Sequence, residues 1–321
     1  MSTATSDTAM TPARIVRSER IADDIQLFEL RDPHGAELPP FTPGAHLSVR
    51  VPNGQVRKYS LCNDPAERDC YLFAVKREAD GGGGSIALID HAKVGDELAI
   101  SLPRNDFALV KSPPGYLFIA GGIGITPIMA MIRHLKSTGG RFKLTYCTRT
   151  AGATAFRDEL SAPELRGRVM MHHDDGDPDR LLDLWPLLER PTGAHLYCCG
   201  PRAMMQTVRD MTGHWAPSAV HFETFTDAAK SKPDDRAFKL RLARSGDVID
   251  VPVGVTILQA LRTHGHAVPS SCESGTCGTC RTRLLGGEPD HRDLVLSDSE
   301  HGDAIMLCVS RARSDELVID R

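Results

Sequence analysis

Four cysteines near the carboxyl end of the chain have the spacing of an iron–sulfur site. Three of them form the stretch Cys272-Glu-Ser-Gly-Thr-Cys277-Gly-Thr-Cys280, and Cys308 lies further along the chain. This C-x4-C-x2-C pattern with a distant fourth cysteine is typical of plant-type [2Fe–2S] ligation, in which four thiolates bind two irons. The intervening residues are small, and glycine lets the backbone turn sharply and direct N–H groups at sulfur. The spacing therefore predicts that these four cysteines bind a one-electron carrier.

The alternatives to a cluster are a zinc site and a set of reduced core cysteines. Zinc sites usually combine a C-x2-C pair with a second such pair or with histidines, and neither follows this motif. The remaining cysteines lack the spacing of a disulfide framework, and most are predicted to be small buried side chains. They are Cys62, Cys70, Cys147, Cys198 and Cys199. The spacing therefore favours an iron–sulfur cluster.

The composition excludes several classes of protein. The chain has 321 residues, a length that corresponds to two or three domains. Its net charge of −4 provides no basic field for nucleic acid, and no segment approaches the ~18 apolar residues of a membrane span. Residues 1–13 are polar and lack the apolar core of a secretory signal. We therefore expect a cytoplasmic protein that binds neither nucleic acid nor membrane.

Residues 14–110 have the pattern of a small antiparallel β-barrel. Short segments alternate between apolar and polar residues, and turns that contain glycine and proline separate them. The strands predicted by this alternation are 25–30, 46–51 and 71–76. One helix is expected to open near Ser85 and to run through residues 86–91.

The pattern changes at Pro113. Between residues 111 and 226, apolar strands alternate with helical segments, which indicates an α/β domain with a parallel sheet and helices on both faces. The predicted strands are 116–120, 142–147, 168–172, 194–198 and 220–225, and the predicted helices are 128–136, 156–160, 181–188 and 202–211. Residues 227–236 are predicted to form a linker. A third domain, residues 237–321, begins with a hairpin and a helix at 256–263 and contains the cysteine loop.

Arg57, Tyr59 and Ser60, at the start of an apolar strand, are candidates for holding a flavin. A flavin needs a cation near its phosphate, an aromatic side chain against its ring and a hydroxyl near the ring edge, and one strand supplies all three groups. The four glycines at 81–84 precede a helix, where free N–H groups bind phosphate. Taken alone, the first motif also fits a surface strand, and the glycine run also fits a flexible hairpin loop.

Two further motifs follow strands of the α/β domain. Gly121-Gly-Ile-Gly124-Ile-Thr126-Pro127 lies between a strand and a helix, where an α/β sheet binds pyrophosphate, although its spacing is not the G-x-G-x-x-G fingerprint. Cys199-Gly-Pro201 ends a later strand, where a polarizable thiol can border a flat nicotinamide ring. The first motif also fits a tight strand–helix turn, and the second also fits an ordinary turn at the end of a strand.

An acidic segment bears on the choice between NADH and NADPH. His173-Asp174-Asp175-Gly176-Asp177 follows a predicted strand at the sheet edge where ligands approach, and its carboxylates would repel the 2′-phosphate of NADPH. Arg149, after the neighbouring strand, is a cation that favours this phosphate or the pyrophosphate. We expect NADH, with Asp174 and Asp175 near the adenosine ribose. A solvated turn with no ligand is the alternative.

In this order the motifs resemble those of ferredoxin–NADP reductase-like flavoproteins. The resemblance is carried by Arg57-x-Tyr59-Ser60, the Gly121–Pro127 turn and Cys199-Gly-Pro201, and it covers residues 14–321. The ferredoxin-type cysteine loop at the carboxyl end narrows it to the phthalate dioxygenase reductase family, which includes vanillate demethylase reductases. The resemblance implies FMN in an amino-terminal barrel, NADH on a central α/β domain and [2Fe–2S] in a carboxyl-terminal β-grasp, α+β domain.

The resemblance also implies roles for single residues through the matching motifs. FMN would be held by Arg57, Tyr59 and Ser60, and its phosphate would face Lys76, Gly84 and Ser85. The pyrophosphate side of NADH would be bound by Gly122, Gly124 and Thr126, and Cys199 would border the nicotinamide. Phe225 would lie near the flavin, or else is a core residue that ends a strand.

These carriers imply electron transfer without acid–base catalysis. NADH gives two electrons as a hydride and the cluster takes one at a time; a flavin does both, so it belongs between them. No side chain is expected to be catalytic. The resemblance implies that the acceptor is the terminal component of a Rieske-type aromatic oxygenase or O-demethylase, and nothing requires more than a monomer. There are two alternatives. The first is a reductase for another monooxygenase, and the second is a nicotinamide-binding redox sensor or electron carrier.

Overall fold

The structure is a computed structural model, and it describes residues 10–79, 81–111, 114–225 and 232–321. The chain divides into two units, Met1–Glu223 and Thr224–Arg321. The first unit contains an antiparallel barrel and a parallel sheet, and the second contains a smaller mixed sheet.

Within the described residues, six strands form the sheet of the barrel. Its elements are β1 (Thr11–Ala22), β2 (Ile25–Arg31), β3 (His46–Arg50), β4 (Val56–Ser60), β5 (Tyr71–Lys76), α1 (Gly84–His91) and β6 (Glu97–Ile100). Their order in the sheet is β4-β3-β6-β1-β2-β5. A bridge between Leu61 and Phe73 joins the two edge strands, and Cys62 donates its backbone N–H to the Leu72 carbonyl at 2.8 Å. The sheet therefore closes on itself beside the residues that follow β4.

Strand β2 buries both of its faces, because successive side chains of a strand point in opposite directions. Phe28 and Leu30 belong to the core of the barrel. Ile25 and Leu27 belong to a second core, which also contains side chains of the parallel sheet. The barrel and the sheet therefore share buried apolar surface within the first unit.

The parallel sheet follows the barrel in the chain. Its elements are β7 (Tyr116–Gly121), α2 (Ile125–Thr138), β8 (Phe142–Thr148), α3 (Arg157–Leu160), β9 (Val169–His173), α4 (Trp185–Leu188), β10 (His195–Cys199), α5 (Arg202–Met211) and β11 (Val220–Glu223). Their order is β11-β10-β7-β8-β9, and all neighbours are parallel. The chain leaves β7 for β8 on one side and later returns to β10 on the other, so the strand order reverses beside β7. Open α/β sheets bind ligands at the carboxyl ends of strands at such a reversal.

Arg133 of α2 connects the parallel sheet to the barrel. Its Nη1 donates to the carbonyl of Cys62, two residues after β4, at 2.6 Å. Its Nε donates to Oε1 of Glu159 in α3 at 2.9 Å, and its guanidinium lies over the Phe156 ring, 5.4 Å from the centroid. The side chain is only 18% exposed, and hydrogen bonds are stronger in such surroundings than in water. Arg133 therefore holds the end of β4 against α2 and α3.

The second unit is built on a mixed sheet with one described α-helix. Its elements are β12 (Phe238–Leu242), β13 (Val248–Val251), α6 (Ile257–Thr263), β14 (Arg281–Gly286), β15 (Pro289–Asp290), β16 (Ala304–Met306), β17 (Arg311–Ala312) and β18 (Glu316–Ile319). The main sheet has the order β13-β12-β18-β14-β16, and β15 pairs with β17. Helix α6 begins with a capping box between Thr256 and Gln259, which satisfies two backbone donors of its first turn.

The structure agrees with most of the predicted elements and corrects three points. The helix at 181–188, predicted as a poor one that Pro186 breaks, is limited to the four residues of α4, and Asp183 accepts from the Trp185 N–H at its start. Ser60 ends its strand, whereas its motif was predicted at the start of one. Strands β1, β6 and β14–β18 have no counterpart among the predicted strands. Across the described part of the chain, no helix has the length and apolar character needed to cross a membrane.

The predicted linker at 227–236 is only partly described. Residues 227–231 lie outside the described residues. In the remaining part, the side chain of Asp235 is 3% exposed and accepts from Nη1 of Arg292 at 3.2 Å. Arg292 holds the pKa of this carboxyl at about 2. The end of the predicted linker is therefore packed into the second unit.

Candidate functional sites

Arg57 lies against the glycines that open α1. A Cβ atom added to Gly84 would be 2.8 Å from Nε of Arg57, and one added to Gly82 would be 2.9 Å from Nη2. The guanidinium is held by Oε1 of Gln55 at 2.8 Å and by the Val56 carbonyl at 3.0 Å. The Arg57 side chain therefore lies directly on the glycines at the start of a helix, and a cation and a helix start together favour a bound phosphate.

Tyr59 and Ser60 occupy the end of the same strand. The Tyr59 ring stacks on Phe73 with centroids 5.1 Å apart and an interplanar angle of 15°, and burial raises its pKa to about 12. Ser60 is buried, and its Oγ donates to Oε2 of Glu223 at 3.3 Å. Glu223 was not predicted, because it is 163 residues away in the chain. It is the last residue of β11, so this hydrogen bond joins the barrel to the parallel sheet.

Lys76 and Ser85 both contact Glu78. Lys76 Nζ pairs with Oε1 of Glu78 at 2.7 Å, and Ser85 Oγ accepts from the Glu78 backbone N–H at 3.1 Å. These contacts order the loop that precedes α1. The predicted role of Lys76, Gly84 and Ser85 at the flavin phosphate stays a prediction.

The two glycine turns of the nucleotide-binding domain touch each other. A Cβ atom on Gly124 would lie 2.2 Å from the Cys199 carbonyl oxygen, and one on Gly200 would lie 2.9 Å from the Gly121 backbone nitrogen. Gly122 has φ +53°, a conformation that glycine adopts most easily. The turns after β7 and β10 therefore meet backbone to backbone, which leaves N–H groups at the edge where a pyrophosphate is expected.

Thr126 and Cys199 are buried at this edge. The Thr126 hydroxyl donates to the Ile123 carbonyl at 3.0 Å, so it shapes the turn. Cys199 pairs in register with Glu223 across β10 and β11. Burial raises the pKa of the Cys199 thiol far above its usual value, and the charge of Glu223 acts in the same direction. The thiol is thus neutral, and Ser60, Cys199 and Glu223 form one group between the barrel and the sheet.

The acidic segment follows β9, as predicted. Asp175 donates its backbone N–H to the Arg149 carbonyl at 2.7 Å, so the acids and Arg149 lie side by side. Asp174 Oδ1 accepts from the Gly176 N–H at 2.7 Å, and Asp175 forms an ion pair with Arg180. The structure therefore adds Arg180 to the acidic segment, beside the backbone of Arg149. Phe225 is 40% exposed and lies in the second unit; its predicted place near the flavin stays a prediction.

In the second unit, the cysteine loop directs backbone N–H groups at sulfur. Cys272 Sγ accepts from Ser274 at 3.4 Å and from Thr276 at 3.5 Å, while Cys277 Sγ accepts from the Cys272 N–H at 3.4 Å. Gly275 and Gly278 have φ values of 78° and 82°. This geometry fits thiolates whose charge is stabilised by backbone donors.

The four thiols form two pairs. The pKa of Cys272 is lowered to about 3, first because the Cys277 thiol donates a hydrogen bond to it. Cys308 lowers the pKa of Cys280 in the same way, and in each pair the partner's pKa is raised. Two pairs of thiols are the donor set that two tetrahedral irons require. The residues present therefore fit a [2Fe–2S] cluster.

Comparisons with known proteins agree with this arrangement. Three family models match: an oxidoreductase FAD-binding domain at 12–108, an oxidoreductase NAD-binding domain at 118–210 and a 2Fe-2S iron-sulfur cluster binding domain at 240–313. Phthalate dioxygenase reductase of Burkholderia cepacia is 53% identical over 96% of both chains. The phthalate 4,5-dioxygenase oxygenase reductase subunit of Pseudomonas putida is 51% identical over 98% of both chains.

The chain belongs to the phthalate dioxygenase reductase family. A solved phthalate dioxygenase reductase structure, 51% identical, superposes with a TM-score of 0.72 and covers 97% of this chain and 98% of its own. The predicted barrel, parallel-sheet and ferredoxin-like domains are confirmed. The protein is a flavin- and nicotinamide-dependent iron–sulfur oxidoreductase.

Replacing Gly124 with alanine tests the contact between the two turns. Because the new Cβ would lie 2.2 Å from a backbone carbonyl, the turn must shift, and we expect kcat/KM for NADH to fall about 10- to 100-fold. Stopped-flow reduction of the flavin measures this directly. Gly213→Ala, where the nearest atom would be 3.8 Å away, is the matched control. Unchanged kinetics in Gly124→Ala would contradict the role of this turn.

Proposed function

We propose that the protein is the reductase component of a Rieske-type oxygenase system that acts on an aromatic substrate. It takes a hydride from NADH and delivers single electrons to the terminal oxygenase. The observation that carries the proposal is the Ser60–Glu223 hydrogen bond, which joins the flavin strand to the carboxyl edge of the nucleotide-binding sheet. The two phthalate oxygenase reductases that are 51–53% identical support this class of partner.

The residues of the first unit bind and orient the donor and the flavin. Arg57 and the start of α1 hold phosphate, Tyr59 packs on Phe73, and the turns at Gly124 and Cys199 receive the dinucleotide. A bound flavin accepts a hydride and releases electrons singly. The neutral, buried Cys199 thiol excludes water beside the Ser60–Glu223 contact. The domain boundaries that support this division remain those predicted, at 14–110, 111–226 and 237–321.

For the flavin we propose FMN. The reason is the family resemblance, because members with the ferredoxin domain at the carboxyl end use FMN, whereas the matching family model is named for FAD. Arg57 and the glycine run form one cation and one helix start, which suit a single phosphate. Heat release followed by thin-layer chromatography decides the identity, and comigration with FAD would contradict the proposal.

For the nucleotide we propose NADH, because Asp174, Asp175 and Asp177 follow β9 at the carboxyl edge of the parallel sheet, where they would repel a 2′-phosphate. Asp175 also holds the Arg180 guanidinium, which would otherwise be available to that phosphate. We therefore expect Asp175→Asn to raise kcat/KM for NADPH about fivefold, the effect of roughly 1 kcal/mol, with little change for NADH. Steady-state kinetics with both nucleotides measure this, and Asp158→Asn is the control. A wild-type preference for NADPH would show that Arg149 and Arg180 dominate the pocket.

We propose that electrons leave through the cysteine loop to a larger protein partner. Cys272 and Cys277 are partly exposed, and the loop side chains are small and polar. Transient redox interfaces are small, so docking should be weak and salt-dependent. The chain needs no second copy for this path, and we propose a monomer. Four reduced ligand thiols and the use of NADH favour a cytoplasmic location.

The proposed path is tested by Cys280→Ser. Cys280 is buried, and its loss should bleach the iron–sulfur absorption and stop the reduction of cytochrome c or of a Rieske oxygenase. Reduction of the flavin by NADH should persist, because it precedes the cluster. Cys70→Ser, a buried cysteine of the barrel, should keep full iron content. A redox sensor would bind NADH yet reduce neither acceptor in the wild type, and full iron content in Cys280→Ser would contradict the ligand assignment.

A further inference from the structure

Two buried polar atoms beside the cysteine loop face each other without a hydrogen-bond partner. They are Nδ1 of His291 and Oδ1 of Asp293, which lie 3.8 Å apart. Neither has a partner among the residues that the structure describes. The Asp293 side chain is fully buried, and the His291 side chain is 13% exposed. Buried polar atoms of this kind are rare in folded proteins, and each calls for a physical explanation.

The hydrogen bonds around the pair determine which atoms carry hydrogen. Nε2 of His291 lies 3.0 Å from the carbonyl oxygen of His301. A carbonyl only accepts, so Nε2 carries the hydrogen, and in a neutral imidazole Nδ1 is then a bare acceptor. On the other side, Oδ2 of Asp293 accepts from the N–H groups of Val295 at 3.0 Å and Leu296 at 2.7 Å. Two acceptors therefore face each other, and the group that is missing between them is a proton.

The segment that carries this pair packs against both parts of the chain that hold the cluster cysteines. Leu294 donates its N–H to the Gly275 carbonyl at 2.9 Å, and a Cβ atom on Gly275 would lie 3.1 Å from Cα of Asp293. The Arg292 N–H lies 3.4 Å from Oγ of Ser310, two residues after Cys308. These contacts involve Gly275 and Ser310, which are not themselves predicted ligands. The pair therefore belongs to the segment that packs on the cysteine loop, and a negative charge gained at a bound cluster acts on it through protein of low dielectric constant.

The other charges near the pair have partners of their own. The His301 ring stacks on His291 with centroids 4.0 Å apart, and its Nδ1 lies 3.9 Å from the exposed Asp298. Asp290 is neutralised by Arg292 and also faces Lys232 and Arg313. Asp293 is thus the acid left to stabilise a charge on His291.

We propose that His291 and Asp293 form a proton site that is coupled to the redox state of the cluster. This inference rests on the proposed [2Fe–2S] assignment. On one-electron reduction of a bound cluster, His291 would gain one proton from solvent at Nδ1, and the new N–H would donate to Oδ1 of Asp293. No covalent bond to a heavy atom forms or breaks, and the net charge of the region stays the same.

The environment of His291 agrees with this order of events. Burial lowers the pKa of the imidazole, so the ring is neutral while the cluster is oxidised. An added negative charge nearby raises the pKa of a histidine, and the ion pair with Asp293 then forms in low dielectric. Because reduction and protonation favour each other, the reduction potential must fall as the pH rises.

The test is a redox titration of the full-length, cluster-loaded protein at several pH values between about 5.5 and 8.5, the range in which histidine titrates. Electron paramagnetic resonance of the reduced cluster supplies the readout. In the wild type, the reduction equilibrium should change by up to tenfold per pH unit. In Asp293→Asn this dependence should disappear: the amide oxygen can keep the bonds to Val295 and Leu296, and the amide N–H can donate to the bare Nδ1. Asp298→Asn, an exposed acid in the same segment, should behave as the wild type.

A second variant covers the case in which Asp293→Asn fails to fold. His291→Phe keeps an aromatic ring on His301 and removes the titrating nitrogen, so it should also lose the pH dependence. A potential independent of pH in the wild type, as a trapped water alone would give, overturns the proposal. So does an unchanged slope in both variants. Absence of any reduced-cluster signal in the wild type would instead overturn the cluster assignment on which the site rests.

Discussion

The backbone contact between Gly124 and Cys199 is the constraint on which the first unit depends. The turns after β7 and β10 approach so closely that a single methyl group would lie 2.2 Å from a carbonyl oxygen. The approach places the end of β10, and therefore the neighbouring end of β11, at the start of the nucleotide-binding helix. Glu223 then reaches Ser60 of the barrel. Glycine is required at this point because only a backbone without Cβ allows the two turns to meet.

The chemistry of this protein could be predicted from its sequence wherever it depends on local spacing. Cys272, Cys277 and Cys280 lie within one loop, and the glycines at 121–124 lie within one turn, so their geometry is encoded by neighbours in the chain. The barrel strands in which apolar and polar residues clearly alternate could be predicted for the same reason. So could helix α5, whose apolar residues recur with the period of a helix. In these segments the local preference and the tertiary fold agree.

The contacts between distant segments could not be predicted. Glu223 and Ser60 are joined across 163 residues, and Arg133 reaches Cys62 across 71; neither pair leaves a periodic signal. Strands β15–β18 are short, and the glycine, proline and charged residues around them obscure any alternation. Asp235 lies in a segment whose composition is that of a linker, and yet its side chain is buried. The reason is that Arg292, 57 residues later in the chain, donates a hydrogen bond to it. Burial of a charge depends on its partner, and the partner of Asp235 is visible only in three dimensions.

The buried charges of the second unit have two different kinds of surroundings. Asp235, Arg292 and Asp290 form a network in which each charge meets an opposite one, and the pKa of Asp235 falls to about 2 as a result. A network of this kind fixes geometry and does not respond to changes near neutral pH. Among the described residues, Asp293, one residue from Arg292, has no such partner at Oδ1, although its side chain is at least as well buried. An unpaired buried carboxylate is destabilising unless a proton or a cation joins it. The unpaired oxygen faces a histidine, and Asp293 packs against the cysteine loop. A proton that joins the pair can therefore respond to the charge of the cluster, whereas a fully paired network cannot respond in this way.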